Sequence, residues 1–120
     1  MASAFTELCI DCSNPQLLAE FWSGVLDYKI TESTGDEVEI VGPEGSGPSI
    51  LFVTVPEEKT VKNRLHIDVS PTDREQDEEV ERILALGASH ADVGQGPDVS
   101  WVVLADPEGN EFCVLRPREP

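Results

Sequence analysis

Polar and apolar positions alternate over residues 5–12, which predicts a strand. The period then changes. Ser13-Asn14-Pro15 is a helix start, a capping side chain followed by proline in the first turn. Leu17, Leu18, Phe21, Trp22, Val25 and Leu26 recur at helical spacing and give that helix one apolar face. Residues 28–33 and 38–41 read as strands about a Thr34-Gly35-Asp36 turn, and a glycine- and proline-rich loop at 42–48 leads to an apolar strand at 49–55. After a polar connection the order returns. Residues 64–70 form a strand, and 71–79 are polar and acidic. Val80, Ile83, Leu84 and Leu86 supply an amphipathic helix closed by Gly87. A short strand within 88–93 and a loop at 94–98 come next. Strands at 100–105 and 111–115 then flank Asp106-Pro107-Glu108-Gly109-Asn110, a strong turn signal.

The two halves also share words. Leu8-Cys9-Ile10-Asp11-Cys12-Ser13 and Leu65-His66-Ile67-Asp68-Val69-Ser70 both read L-x-I-D-x-S, and a Pro-Glu-Gly follows later in each half, at 43–45 and 107–109. Repeated words inside a repeated order of elements imply one structural unit used twice. The expected fold is α+β: two βαβββ modules, residues 1–56 and 62–120, in a single domain spanning 1–120 and forming a curved mixed sheet.

Alternation also assigns faces. Helices cover one side of a sheet, so Leu8, Ile10 and Cys12 belong under them, as do Leu65, Ile67 and Val69, and Phe112 and Val114. The opposite, concave face should then carry Glu7, Cys9, Asp11, Arg64, His66, Asp68, Glu111 and Cys113. A one-residue slip would reverse every member of the set. Apolar walls are expected from Leu51 with Val53 or Phe52, and from Trp101. Cys9 and Cys12 make a C-x-x-C, but on a strand their sulfurs point to opposite sides, which disfavours a redox or zinc-ribbon role.

Composition narrows the function classes. The 120 residues carry a net charge of −16, a surface that repels nucleic-acid phosphate and anionic membranes. No window approaches a membrane span, and no export signal is visible at the N-terminus. With three cysteines, an odd number, the expectation is a cytoplasmic protein with reduced thiols. The acid run at 73–81 reads as a solvated helix face.

These residues carry a resemblance over essentially the whole chain. Leu18-Ala19-Glu20-Phe21-Trp22 with Val25-Leu26-Asp27, the stretch from Lys62 to Asp68, Leu86-Gly87-Ala88, and the stretch from Asp106 to Leu115 resemble the vicinal oxygen chelate superfamily. That superfamily includes glyoxalase I, bleomycin and fosfomycin resistance proteins and extradiol dioxygenases, and the chain looks most like its glyoxalase-like domain group. Where the group usually has Leu-Gly, this chain has Leu26-Asp27.

The resemblance implies a divalent metal (zinc, nickel, iron or manganese) that polarises ligand oxygens. The implied metal set is Glu7, His66 and Cys113, with Cys9 the alternative to Glu7 and Glu111 one pleat from Cys113. The set is incomplete, because the remaining position falls in residues 51–53 and offers no ligand. Glu7, His66 and Glu111 are the implied catalytic groups. Cys9, Asp11, Val53, Arg64, Asp68, Trp101 and Cys113 are the implied ligand contacts. Two functions follow. One is a glyoxalase-like lyase, isomerase or dioxygenase relative acting on a small oxygen-rich metabolite. The other is a non-catalytic protein that sequesters an antibiotic-like small molecule. The resemblance also implies a homodimer.

Overall fold

A computed structural model describes residues 2–94 and 99–117. The chain divides into two compact units, Met1–Lys59 and Thr60–Pro120. The first runs β1 (Glu7–Cys12), α1 (Pro15–Leu26), β2 (Lys29–Ser33), β3 (Glu37–Val41) and β4 (Ser49–Thr54). The second repeats the order with β5 (Ile67–Val69), α2 (Gln76–Leu86), β6 (Ser89–His90), β7 (Val102–Ala105) and β8 (Glu111–Val114). Each unit has its own four-stranded mixed sheet, ordered β1-β4-β3-β2 and β5-β8-β7-β6. In both, the first strand runs parallel to the last, and the other pairs are antiparallel. The βαβββ repeat expected from the shared words is the observed architecture.

The first unit follows its pattern closely. Asn14 caps α1 by accepting the backbone N–H of Leu17 at 3.1 Å, and Pro15 occupies the first turn, where its missing N–H leaves no bond unmade. The helical face that periodicity marked lies on the sheet except at Leu17, which is 41% exposed at the edge of that face. Leu18, Phe21 and Trp22 are buried with Val38, Ile40, Ile50 and Phe52, the inward residues of β3 and β4. Phe21 and Trp22 meet edge to face, centroids 5.3 Å apart, an arrangement worth ~0.5–1.5 kcal/mol beyond the area buried. The helix ends on Asp27, which takes the left-handed conformation (φ 58°, ψ 40°).

The second unit departs from expectation at three places, the smallest of them Leu86, expected on the apolar face of the helix and 41% exposed in its last turn. Helix α2 starts at Gln76, earlier than its apolar positions predict. Glu78 accepts the backbone N–H of Glu75 at 3.1 Å, and Asp77, Glu78 and Glu79 put negative charge on the positive end of the helix dipole. The acid run is therefore a helix start, and one of its members is not solvated. Glu79 is buried, held by Arg82 at 2.8 and 2.7 Å.

The strand expected at 64–70 forms only over Ile67–Val69, and Leu65, expected beneath the helix, is 82% exposed. The register explains this. Ile67 pairs with Phe112 in a parallel ladder, so Leu65 would stand opposite Asn110. Asn110 belongs to the preceding turn and already donates its N–H to Asp106 Oδ1 at 3.0 Å. The ladder ends where its partner becomes a turn. Most of the loop expected at 94–98 lies outside the described residues. Among the described residues no helix is long and apolar enough to cross a membrane.

Candidate functional site

In the second unit, β5 and β8 place Asp68 beside Cys113 as ladder partners, so both side chains leave the same face of the sheet. His66, two residues before Asp68, joins that face. Its Nε2 lies 3.1 Å from Asp68 Oδ1. One donor atom from each of His66, Asp68 and Cys113 lies within 4.8 Å of the other two. Cys113 is buried, whereas His66 and Asp68 are about half exposed. Burial pushes the Cys113 thiol up from its ordinary pKa, and the Asp68 carboxylate beside it pushes in the same direction, against the Lys62 ammonium.

This trio forms one wall of a cleft of about 500 Å³. Lys62 and Glu111 add polar groups, while Val93, Trp101, Val103, Phe112 and Leu115 make apolar walls. The volume falls within the ~300–1,000 Å³ of small-molecule pockets, and so does the chemistry: apolar walls with a few converging polar groups.

A hydrogen-bond chain holds the segment before β5 in place although it lies outside the ladder. Asp106, buried, accepts from the backbone N–H of Glu108 and Asn110 at 2.9 and 3.0 Å, and from the Asn110 amide at 3.1 and 3.0 Å. Asn110 Oδ1 in turn accepts from the Asn63 amide at 2.9 Å, and the Asn63 N–H donates to Glu111 Oε1 at 3.4 Å. Glu111 and Lys62 are thus tied to the β7–β8 turn, where Gly109 supplies the left-handed residue (φ 85°).

The first unit holds the remaining expected residues. Glu7, Cys9 and Asp11 are exposed on one face of β1, and Cys12 is buried on the other. The two sulfurs of the C-x-x-C do point apart, and all three cysteines are free thiols. The Cys9 S–H donates to Glu7 Oε1 at 3.4 Å, and its pKa is raised by desolvation and then by the Glu7 carboxylate. Asp11 pairs with Val53, and Val53 with Glu37, so the three share a row. Cys9, Leu51 and Glu39 form the next. Phe52 is fully buried, which settles the open choice: Leu51 and Val53 lie on the face of Glu7 and Asp11.

Of the expected site residues, His66, Asp68, Trp101, Glu111 and Cys113 line the second unit's cleft. Arg64 is exposed and is not among its lining residues. Lys62 and the walls formed by Val93, Val103 and Leu115 are additions. Asp68 is also added to the metal donors. Its signal was present in the sequence, since His66-Ile67-Asp68 puts two donors on one side of a strand.

The donor set fits a divalent cation. It offers nitrogen, oxygen and sulfur, a mixture that zinc accepts. Ligands ~2.0–2.3 Å from one ion stand at most ~4.6 Å apart, so a span of 4.8 Å closes with small side-chain rotations.

The family profile described as "Glyoxalase-like domain" matches residues 7–115. No curated protein matches the chain. Among solved structures, a mutant of the fosfomycin resistance protein FosX from Listeria monocytogenes, complexed with Mn(II) and 1S,2S-dihydroxypropylphosphonic acid, is similar. It has 19% identity and a TM-score of 0.75, over 98% of this chain and 93% of that one. FosX from Mesorhizobium loti is 14% identical with a TM-score of 0.71, over 99% and 95% of the two chains. A glyoxalase/bleomycin resistance protein/dioxygenase family enzyme from Burkholderia phytofirmans is 19% identical with a TM-score of 0.69, over 93% and 97%. At these identities the structural likeness speaks for the fold alone.

Proposed function

The chain belongs to the glyoxalase-like domain family of the vicinal oxygen chelate superfamily, and from that premise we propose that the cleft of its second unit binds a small, oxygen-rich molecule. One observation supports this reading above the others. His66, Asp68 and Cys113 converge on one wall of a ligand-sized cleft whose other walls are largely apolar. Trp101 and Val93 cover the apolar body of the ligand, and Lys62 orients its oxygens as a donor. A divalent cation held by His66, Asp68 and Cys113 would polarise those oxygens as a Lewis acid.

Binding is the primary reading, as in a protein that sequesters an antibiotic-like compound. The placement of Glu111 favours a second, a lyase or isomerase. Its carboxylate lines the same cleft, where the Asn63 N–H donates to one of its oxygens at 3.4 Å, and a carboxylate so placed can act as general base toward a bound ligand. Glu7 is the corresponding candidate base in the first unit. A homodimer and a cytoplasmic location with reduced thiols complete the proposal.

The test is a thermal-shift and calorimetric screen of vicinal diols, 2-hydroxy acids and 2-oxoaldehydes. A true ligand at 100 times its Kd stabilises the fold by about 2.7 kcal/mol. Trp101→Ala and His66→Ala should each remove that shift. If no compound of these classes binds, or if binding survives both substitutions, the cleft is not the site.

A further inference from the structure

Within the cleft read above as the ligand site, we infer that the second unit alone builds a sulfur-containing metal centre, His66, Asp68 and Cys113, selective for zinc-type ions over manganese and magnesium. The inference rests on the cleft reading for its location, and on three observations for its character.

The first is topological. The His66-x-Asp68 pair comes from one strand and its lead-in, and Cys113 is the ladder partner of Asp68, so all three donors are set by one parallel pairing. The second is charge. A thiolate and a carboxylate together cancel a divalent charge, and imidazole adds none. The filled site is then neutral, as a wall shared with Val103, Phe112 and Leu115 favours, since an uncompensated charge there would be costly to desolvate. The third is donor softness. Magnesium and manganese are served by carboxylates, carbonyls and water, usually six oxygens, and this trio offers one carboxylate. Sulfur beside imidazole is the combination that zinc and cobalt accept. Three protein donors also leave a coordination position for a ligand oxygen, the arrangement of catalytic rather than structural zinc sites.

The decisive measurements use the full chain and the metals alone. Native mass spectrometry after dialysis against zinc should show one bound ion per chain. Cobalt(II) should give an intense near-ultraviolet sulfur-to-cobalt charge-transfer band. Cys113→Ser should abolish that band, and Cys9→Ser should leave it intact. Zinc affinity in Cys113→Ser and Asp68→Asn should fall by more than the ~10–100-fold that loss of an outer-shell partner costs. Cys113→Asp, which keeps the charge but removes sulfur, should narrow the preference for zinc over manganese, measured by competition, by at least about tenfold.

Circular dichroism of each variant separates lost binding from lost folding, and Asp68→Asn tests an exposed position if the Cys113 variants do not fold. A cobalt complex without the band, a band that survives Cys113→Ser, or an unchanged zinc-to-manganese ratio in Cys113→Asp would overturn the inference. Absence of any bound metal would overturn it too. The ligand reading would then stand or fall separately, on the small-molecule screen run with metal-free protein.

Discussion

Replacing Asp27 with glycine should stabilise the protein. Asp27 closes α1 in the left-handed region, with φ 58° and ψ 40°, and its backbone N–H reaches back to the Ser23 carbonyl. A side chain in that conformation sets Cβ against the following carbonyl at ~1–2 kcal/mol, with Asp near the lower end. A carboxylate at a helix C-terminus also faces the negative end of the dipole, at ~0.3 kcal/mol for an exposed group. Glycine removes both terms and brings back ~0.5–1 kcal/mol of extra chain entropy in the unfolded state. The balance is a gain of roughly 0.5 kcal/mol, read as a higher urea midpoint at unchanged m and a Tm rise of about 2–4 °C. Asp27→Asn should fall between the two, because Asn keeps the strain and loses the charge. A loss of stability in Asp27→Gly, or an Asn variant more stable than the Gly variant, would refute the strain assigned to this corner. Either result would mean that the Asp27 side chain contributes more at this corner than left-handed strain takes away.

Glu79→Ala should destabilise the second unit by about 1.5–3 kcal/mol, because it leaves the half-buried Arg82 guanidinium without two charge-assisted bonds. A double-mutant cycle with Arg82→Ala checks that the loss belongs to the pair. The Arg74 guanidinium hydrogen-bonded to Asp73 holds that carboxyl below its ordinary pKa. A depressed folded-state value stabilises above the unfolded pKa, and the contribution is lost as pH falls through the folded value. The Asp73 carboxyl resonance should therefore titrate low and return to the ordinary range in Arg74→Gln. Cys9 should be the first thiol alkylated by iodoacetamide, being exposed where Cys12 and Cys113 are buried. Its rate should still be rising with pH where an ordinary thiol has levelled off, and Glu7→Gln should speed the reaction at pH 8 by removing the carboxylate that adds to desolvation in raising its pKa. Equal rates in the two proteins would refute that cause.

Much of the fold was legible because one-sided burial writes itself into the chain. In the first unit the alternation of β1, β3 and β4 survives intact, with Val38, Ile40, Ile50 and Phe52 inward and Glu37, Glu39, Leu51 and Val53 outward. Repeating the L-x-I-D-x-S word therefore announced the second βαβββ unit. What the pattern overstated was the second copy of that word. Leu65 has the alternation of a buried strand residue and is exposed, because strand length depends on a partner 45 residues away and that partner is a turn.

The site divides along the same line. Residue type and parity placed His66, Asp68, Glu111 and Cys113 on one face, which is a property of each segment alone. That Asp68 stands beside His66 and Cys113 follows from the parallel register of β5 and β8, and register is a relation between segments. Lys62 enters the cleft through no periodicity at all, only through the Asn63 clasp on Asn110 and Glu111. The sequence by itself determined which side of each strand could carry chemistry, since burial selects residues one at a time. The tertiary structure decided which of those residues are neighbours, since hydrogen-bond pairing acts between positions far apart in the chain.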